Sequence, residues 1–312
     1  MRTIYTKEEI VILRECGKRL SRVLKEVARN TVPGATGNEL DFLARDLIRK
    51  GGDEPAFLGY KPDGAKKPYP AALCVSTNDS VVHGIPDDVP LKEGDIVGLD
   101  LGITHKGLIT DMAVTVPVGK VDKICPVLSP PQAVPSDYLG GVLGGAPGKL
   151  CWQGAPHRAH NSLCGHSSPP PSGRGILAAS NKTAANLIAS VREALEKGIA
   201  AARAGSRVGD ISDAIASVAE KYGFSVVVEL GGHGVGHYVH EEPFVPNIGR
   251  AGTGPLLEVG MVLALEPIFN EGKAFVRIAK DGHTYKTRDG KRSAHYEKTI
   301  LITAGAAEIL TP

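Results

Sequence analysis

The sequence has no apolar run approaching the ~20 residues that cross a bilayer, and MRTIYTKEEI at its start has no apolar signal-peptide core. It also lacks an excess of charge of either sign. Thirty-six basic and 34 acidic residues leave a net charge of +2, which gives no electrostatic ground for binding nucleic acid or an anionic membrane. Five cysteines, an odd number at irregular spacing, make no disulfide framework. These absences predict a soluble, reduced, cytoplasmic monomer with no membrane and no sequence-specific nucleic-acid partner. Several catalytic signatures are missing too. No G-x-S-x-G elbow occurs. The G-x-G-x-G run of Gly232–Gly236 lacks the spacing of a dinucleotide loop. In His240-Glu241-Glu242-Pro243-Phe244, phenylalanine stands where H-E-x-x-H needs its second histidine.

What is present is an ordinary globular composition, 42% hydrophobic and 22% charged, over 312 residues, enough for a substantial core. From Glu8 to Ala28 apolar residues recur at helical spacing: Ile10, Leu13, Leu20, Leu24 and Val27. Thr36-Gly37-Asn38-Glu39 reads as a helix start and Gly51-Gly52 as its stop. Asn186–Ala202 repeats the first pattern, and Gly205–Ile211 echoes Gly34–Leu40 ahead of a helix running to Tyr222. Each helix pair leads into strand-like runs, Ala72–Val75 and Ser225–Leu230. Residues 1–123 and 176–312 thus read as two helix–helix–strand halves of a duplicated α+β domain.

Between them, Ile124–Gly175 holds nine prolines and nine glycines in 52 residues, with Asp137 its one acidic residue. Such a stretch buries too little apolar area to offset its ordering entropy, so it is expected to be a mostly disordered insertion. It carries Cys125, Cys151, Cys164, His157, His160 and His166, but their spacing matches no common zinc pattern.

The chemistry lies elsewhere. Gly94–Gly102 reads as a strand burying Asp100, and a turn around His105-Lys106-Gly107 leads to a second strand with Asp111. Antiparallel pairing can set the two carboxylates side by side, although two aspartates alone fit turn capping equally well. Met261–Phe269 and Ser293–Leu301 are apolar strands, each interrupted by one carboxylate, Glu266 and Glu297, while a glycine-rich run projects His233. Four buried carboxylates and one imidazole, if they converge, carry about −4 of charge. No desolvated pocket holds that without cations, and two divalent metals cancel it. Such a pair is the apparatus of metal-assisted hydrolysis.

The ordered set Asp100, Asp111, His233, Glu266 and Glu297, with Val82-His83-Gly84-Ile85-Pro86, His240-Glu241-Glu242-Pro243 and Tyr296-Glu297, resembles type I methionine aminopeptidases of metallopeptidase family M24. The similarity covers roughly Thr3–Val121 and Asn181–Thr311. It implies the pita-bread fold, a pseudo-twofold α+β domain with metals at its central sheet. It further implies an exopeptidase removing N-terminal methionine from nascent proteins, with a small second residue preferred and transient ribosome contact. By position, Asp111 and Glu297 would bridge two divalent ions (cobalt, manganese, iron or zinc), Asp100 would chelate one, and His233 and Glu266 would complete the other. Glu266 would also shuttle the proton, His240 would hydrogen-bond the oxyanion, and His83 the neighbouring amide. Cys74, Tyr69, Tyr60 and Phe57 fall on or near the family's methionine pocket. Three departures bear on its shape: Val239 replaces an aromatic residue, His283 stands where tryptophan is frequent, and Lys61–Pro68 is extra. Proline-directed peptidases of the same fold share the ligand set, and non-enzymatic peptide- or ribosome-binding relatives share the fold but lose ligands.

Overall fold

The computed structural model describes residues 3–61, 66–119 and 173–312, with side chains from residue 182 onward in the last segment. The cysteines and histidines of the expected insertion lie outside the described residues.

Helix α1, Lys7–Arg29, starts at Thr6, whose side chain and that of Glu9 cap each other's backbone. Helix α2, Gly37–Gly51, begins in the same way at Thr36 and Glu39 and stops at Gly52, which is left-handed at φ 75°. Their apolar stripes, including Leu20, Leu24, Leu40 and Ile48, pack on Leu99, Leu101, Ile103 and Met112 of a long hairpin. That hairpin pairs Ile96–His105 with Leu108–Pro117 over ten residue pairs. Lys106 and Gly107, at φ 50° and 80°, close it with a turn whose twist matches the strands. Leu73–Thr77 and the short Glu54–Pro55 pair on the other edge of Ile96–His105, completing a four-stranded antiparallel sheet.

The second half repeats the plan. Helices α3, Gly173–Ala201, and α4, Val208–Tyr222, cover a five-stranded sheet in the order 308–309, 298–301, 262–265, 231–234, 241–246. Leu187, Val191, Ile211 and Ile215 bury against Leu263, Leu265, Phe269 and Ile300. Two three-stranded sheets flank it, one joining 293–295, 268–270 and 225–226, the other 276–278, 285–287 and 80–82.

Two expectations shift. Helix α3 begins at Gly173, well before Asn186 and three residues inside the expected insertion. Its first turns hold Leu177, Ala178 and Ala179, good helix formers, without a periodic apolar stripe to announce them. The strand expected over Ser225–Leu230 shortens to Ser225–Val226, and Val227 instead buries in a cluster with Val82 and Tyr285.

Besides the shared sheet of 80–82 and 285–287, the halves meet along a central seam. Ala113 and Glu297 exchange backbone hydrogen bonds of 3.4 and 2.9 Å. The Thr299 hydroxyl donates to the Asp111 carbonyl at 2.7 Å and accepts from its N–H at 2.9 Å. The Thr115 hydroxyl serves His295 in the same two ways, at 2.8 and 3.0 Å.

Candidate active site

The hairpin supplies the first two carboxylates. Asp100 lies opposite Ala113 and Asp111 opposite Gly102. The carboxylates are therefore side by side on one face, as diagonal neighbours offset by two residues. The other two come from breaks. Glu266 sits where the strand Val262–Leu265 ends and Ile268–Asn270 begins, and Glu297 sits between Ser293–His295 and Lys298–Leu301. The upstream and downstream pieces belong to different sheets, so each break turns its glutamate toward the space between them.

His233 comes from Gly231–Gly234, threaded between Glu241–Pro246 and Val262–Leu265. A Cβ on Gly232 would stand 2.3 Å from the Ala264 carbonyl oxygen, so only glycine lets this strand run that close. The His233 Nδ1 lies 2.9 Å from the Gly234 carbonyl. A carbonyl only accepts, so Nδ1 carries the proton and Nε2 presents a lone pair. That lone pair faces Glu266 at 3.7 Å and Glu297 at 4.0 Å.

A cleft open at its mouth is lined by Asp100, Asp111, His233, Glu266 and Glu297 and by the other six residues singled out from sequence: His83, His240, Cys74, Tyr69, Tyr60 and Phe57. The departures Val239 and His283 line it as well, with Val82. Polar ends of the two tyrosines are engaged: Tyr60 reaches the His240 Nδ1 at 2.9 Å, and Tyr69 donates to the Gly84 carbonyl at 2.8 Å. His83 holds a left-handed backbone at φ 56°, unusual for a residue with a side chain and of the kind retained where position matters. Burial, with His240 and His283 nearby, lowers its pKa to about 4.

Electrostatics then test the fit of cations. Burial pushes Asp100 up to about 7. Burial and then neighbouring carboxylates push Asp111, Glu266 and Glu297 well above the usual range. Asp100 Oδ1 and Glu297 Oε1 are buried with no protein partner. Donor atoms of Asp111, His233 and Glu297 lie within 4.8 Å of one another, as do those of Asp100, His295 and Glu297. Atoms each ~2.1 Å from a common ion stand up to ~4.2 Å apart, so the 3.7 and 4.0 Å separations from His233 to Glu266 and Glu297 suit a divalent cation with oxygen and nitrogen ligands.

The profile of metallopeptidase family M24 matches residues 11–128 and 173–304. The chain belongs to this family. A methionine aminopeptidase of Aquifex aeolicus is 37% identical over 99% of this chain and 98% of its own length. One from Clostridium perfringens is 35% identical over 98% and 96%. The crystal structure of a methionine aminopeptidase from Thermotoga maritima superposes with a TM-score of 0.77 at 35% identity, over 100% of this chain and 99% of that one. A prolidase from Pyrococcus furiosus, 20% identical with a TM-score of 0.59 and covered over 66% of its length, shares the fold alone. The architecture is accordingly the pita-bread fold expected from the sequence, and divalent metal comes with the family. Among the described residues, no helix of this M24 metallopeptidase is long and apolar enough to cross a membrane.

The sequence reading passed over His295. It is 1% exposed, and neither ring nitrogen has a protein partner. The signal was available: it stands two residues before Glu297, in the same apolar run.

Proposed function

We propose that this metallopeptidase removes the N-terminal methionine from nascent peptides, using two divalent cations held by Asp100, Asp111, His233, Glu266 and Glu297. The observation that carries this reading is the His233 Nε2 lone pair, fixed by the Gly234 carbonyl and facing two carboxylates across 3.7 and 4.0 Å gaps that exclude hydrogen bonds but suit a shared ion. Glu297 belongs to both three-residue donor groups, which supports its role as a bridge between two ions.

Bound divalent cations acidify water toward neutrality and polarise a scissile carbonyl. The protein's own groups do the rest. Glu266, its carboxyl pushed up by burial and by Asp100 and Asp111, takes the proton from the attacking water and returns it to the leaving amine. The Tyr60 hydroxyl donates to His240 Nδ1, which leaves the Nε2–H to donate to the developing oxyanion. His83 hydrogen-bonds the amide beside the scissile bond. The substrate's free α-amine is taken on the Asp100 side, which restricts attack to the first bond. Phe57, Tyr69, Cys74, Val82 and Val239 form the wall for an unbranched apolar side chain, and a tight next subsite favours a small second residue.

Residues 124–175 are proposed to be an insertion the chemistry does not need. With a short glycine linker in place of 124–172, the chain should keep its metal affinity and turnover.

The deciding assay compares Met-Ala-Ser with X-Pro peptides under manganese, iron, cobalt or zinc, alongside metal content by mass spectrometry. Release of methionine from Met-Ala-Ser with about two ions per chain is expected. Preference for X-Pro peptides refutes the specificity, and absence of bound metal refutes the mechanism.

A further inference from the structure

His295 is a buried imidazole that neither the fold nor the mechanism above employs. Its backbone is pinned at both polar atoms by the Thr115 hydroxyl. Its ring is wedged beside Gly98, where a Cβ would stand 3.4 Å from Nδ1 and 3.5 Å from Cε1, with the Ser76 Cβ beyond. A neutral imidazole carries one N–H and one lone pair. Both nitrogens lack a protein partner. A ring nitrogen nonetheless stands within 4.8 Å of carboxylate oxygens of Asp100 and Glu297, and Asp100 Oδ1 and Glu297 Oε1 are themselves unpartnered. Three buried groups, none hydrogen-bonded within the protein yet gathered around one point, form a donor set that a cation among them would satisfy.

We propose that His295 is a metal ligand, giving the ion held by Asp100 and Glu297 an imidazole donor, as His233 gives one to the other ion. The inference rests on the two-metal reading above. Each ion then has one nitrogen ligand, and Glu297 joins the two sets. An added imidazole favours zinc, iron or cobalt over manganese at the Asp100 position, since manganese suits an all-oxygen set. His295 thereby becomes a determinant of which metal the chain retains.

The test needs no turnover. The full-length protein is loaded with two equivalents of cobalt(II), and its proton spectrum is recorded in water. Each cobalt-bound imidazole contributes one far-shifted, exchangeable ring N–H signal. Two such signals are expected in the native protein and one in His295→Gln, whose weaker cobalt site should lose affinity roughly 10- to 100-fold by calorimetry. A single signal in the native protein overturns the proposal even if the variant fails to fold, because the count is made on the unaltered chain. Two signals that both survive in a folded His295→Gln overturn it equally. If the native protein takes up no cobalt at all, the metallopeptidase mechanism itself fails, a result distinct from either.

Discussion

The hairpin of residues 96–117 and the segments 262–270 and 293–301 each bring two carboxylates to the cleft, by different physical routes. In the hairpin, ten consecutive pairs stay in register, and Asp100 and Asp111 share the face that also carries Thr104 and Thr115, opposite the apolar face that packs on the helices. In the second half the ladder is interrupted twice, and Glu266 and Glu297 occupy the interruptions. Regular pairing fixes direction cheaply, because the alternation of a strand decides which face a residue takes. An interrupted strand frees a side chain from that alternation but must secure its backbone some other way. Here the securing comes from the first half, through Ala113, Thr115 and the carbonyl of Asp111.

The contrast breaks most sharply at Asp111, whose side chain faces the cleft while its backbone holds Thr299. Asp111→Asn should lower turnover of Met-Ala-Ser on the order of a thousandfold or more with metal in excess, while circular dichroism stays native. Near-native turnover would remove Asp111 from the site. Gly232→Ala tests the crowded second half: with the Ala264 carbonyl 2.3 Å from the new Cβ, overpacking should cost about 3 kcal/mol in a urea titration. Thr299→Val keeps the shape of the seam but removes its hydroxyl. Leaving the Asp111 N–H and carbonyl without that partner should cost about 1–3 kcal/mol and weaken metal binding as well. An effect confined to stability would separate the seam from the ions.

The smallest effect concerns pH. His83 titrates near 4 when folded and near 6.5 when unfolded, so its neutral form supports the fold above about pH 6.5, and that support drains as the pH falls toward 4. His83→Gln should therefore lose less Tm than the native protein between pH 6.5 and 4. Parallel Tm curves would show that His83 does not couple to folding.

Much of this was legible beforehand because local signals agreed with the global plan. Thr36 and Glu39 announce α2, and they cap each other as a threonine and a glutamate three apart should. Lys106-Gly107 announces the hairpin turn. The five proposed ligands and six further cleft residues came from scattered motifs, each weak alone, in an order that one family shares. What escaped notice depended on register and company. The two-residue offset of Asp100 from Asp111 is set by a turn of two residues, where the sequence reading allowed for three. The early start of α3 hides in alanine-rich sequence with no stripe. His295 passed as an ordinary strand residue because its importance lies in what it fails to touch.

The seam joins hydroxyls and carbonyls some 180 positions apart, Thr115 with His295 and Asp111 with Thr299, at separations of 180 and 188. A chain emerging from synthesis therefore carries Asp100 and Asp111 long before Glu297 joins them. Such distant closure slows folding, and whatever lies between the halves lengthens the tether only at logarithmic cost. Assembly of the centre is thus a late event, and a truncated product ending before the second half would leave the first pair of carboxylates without the bridge that makes them useful.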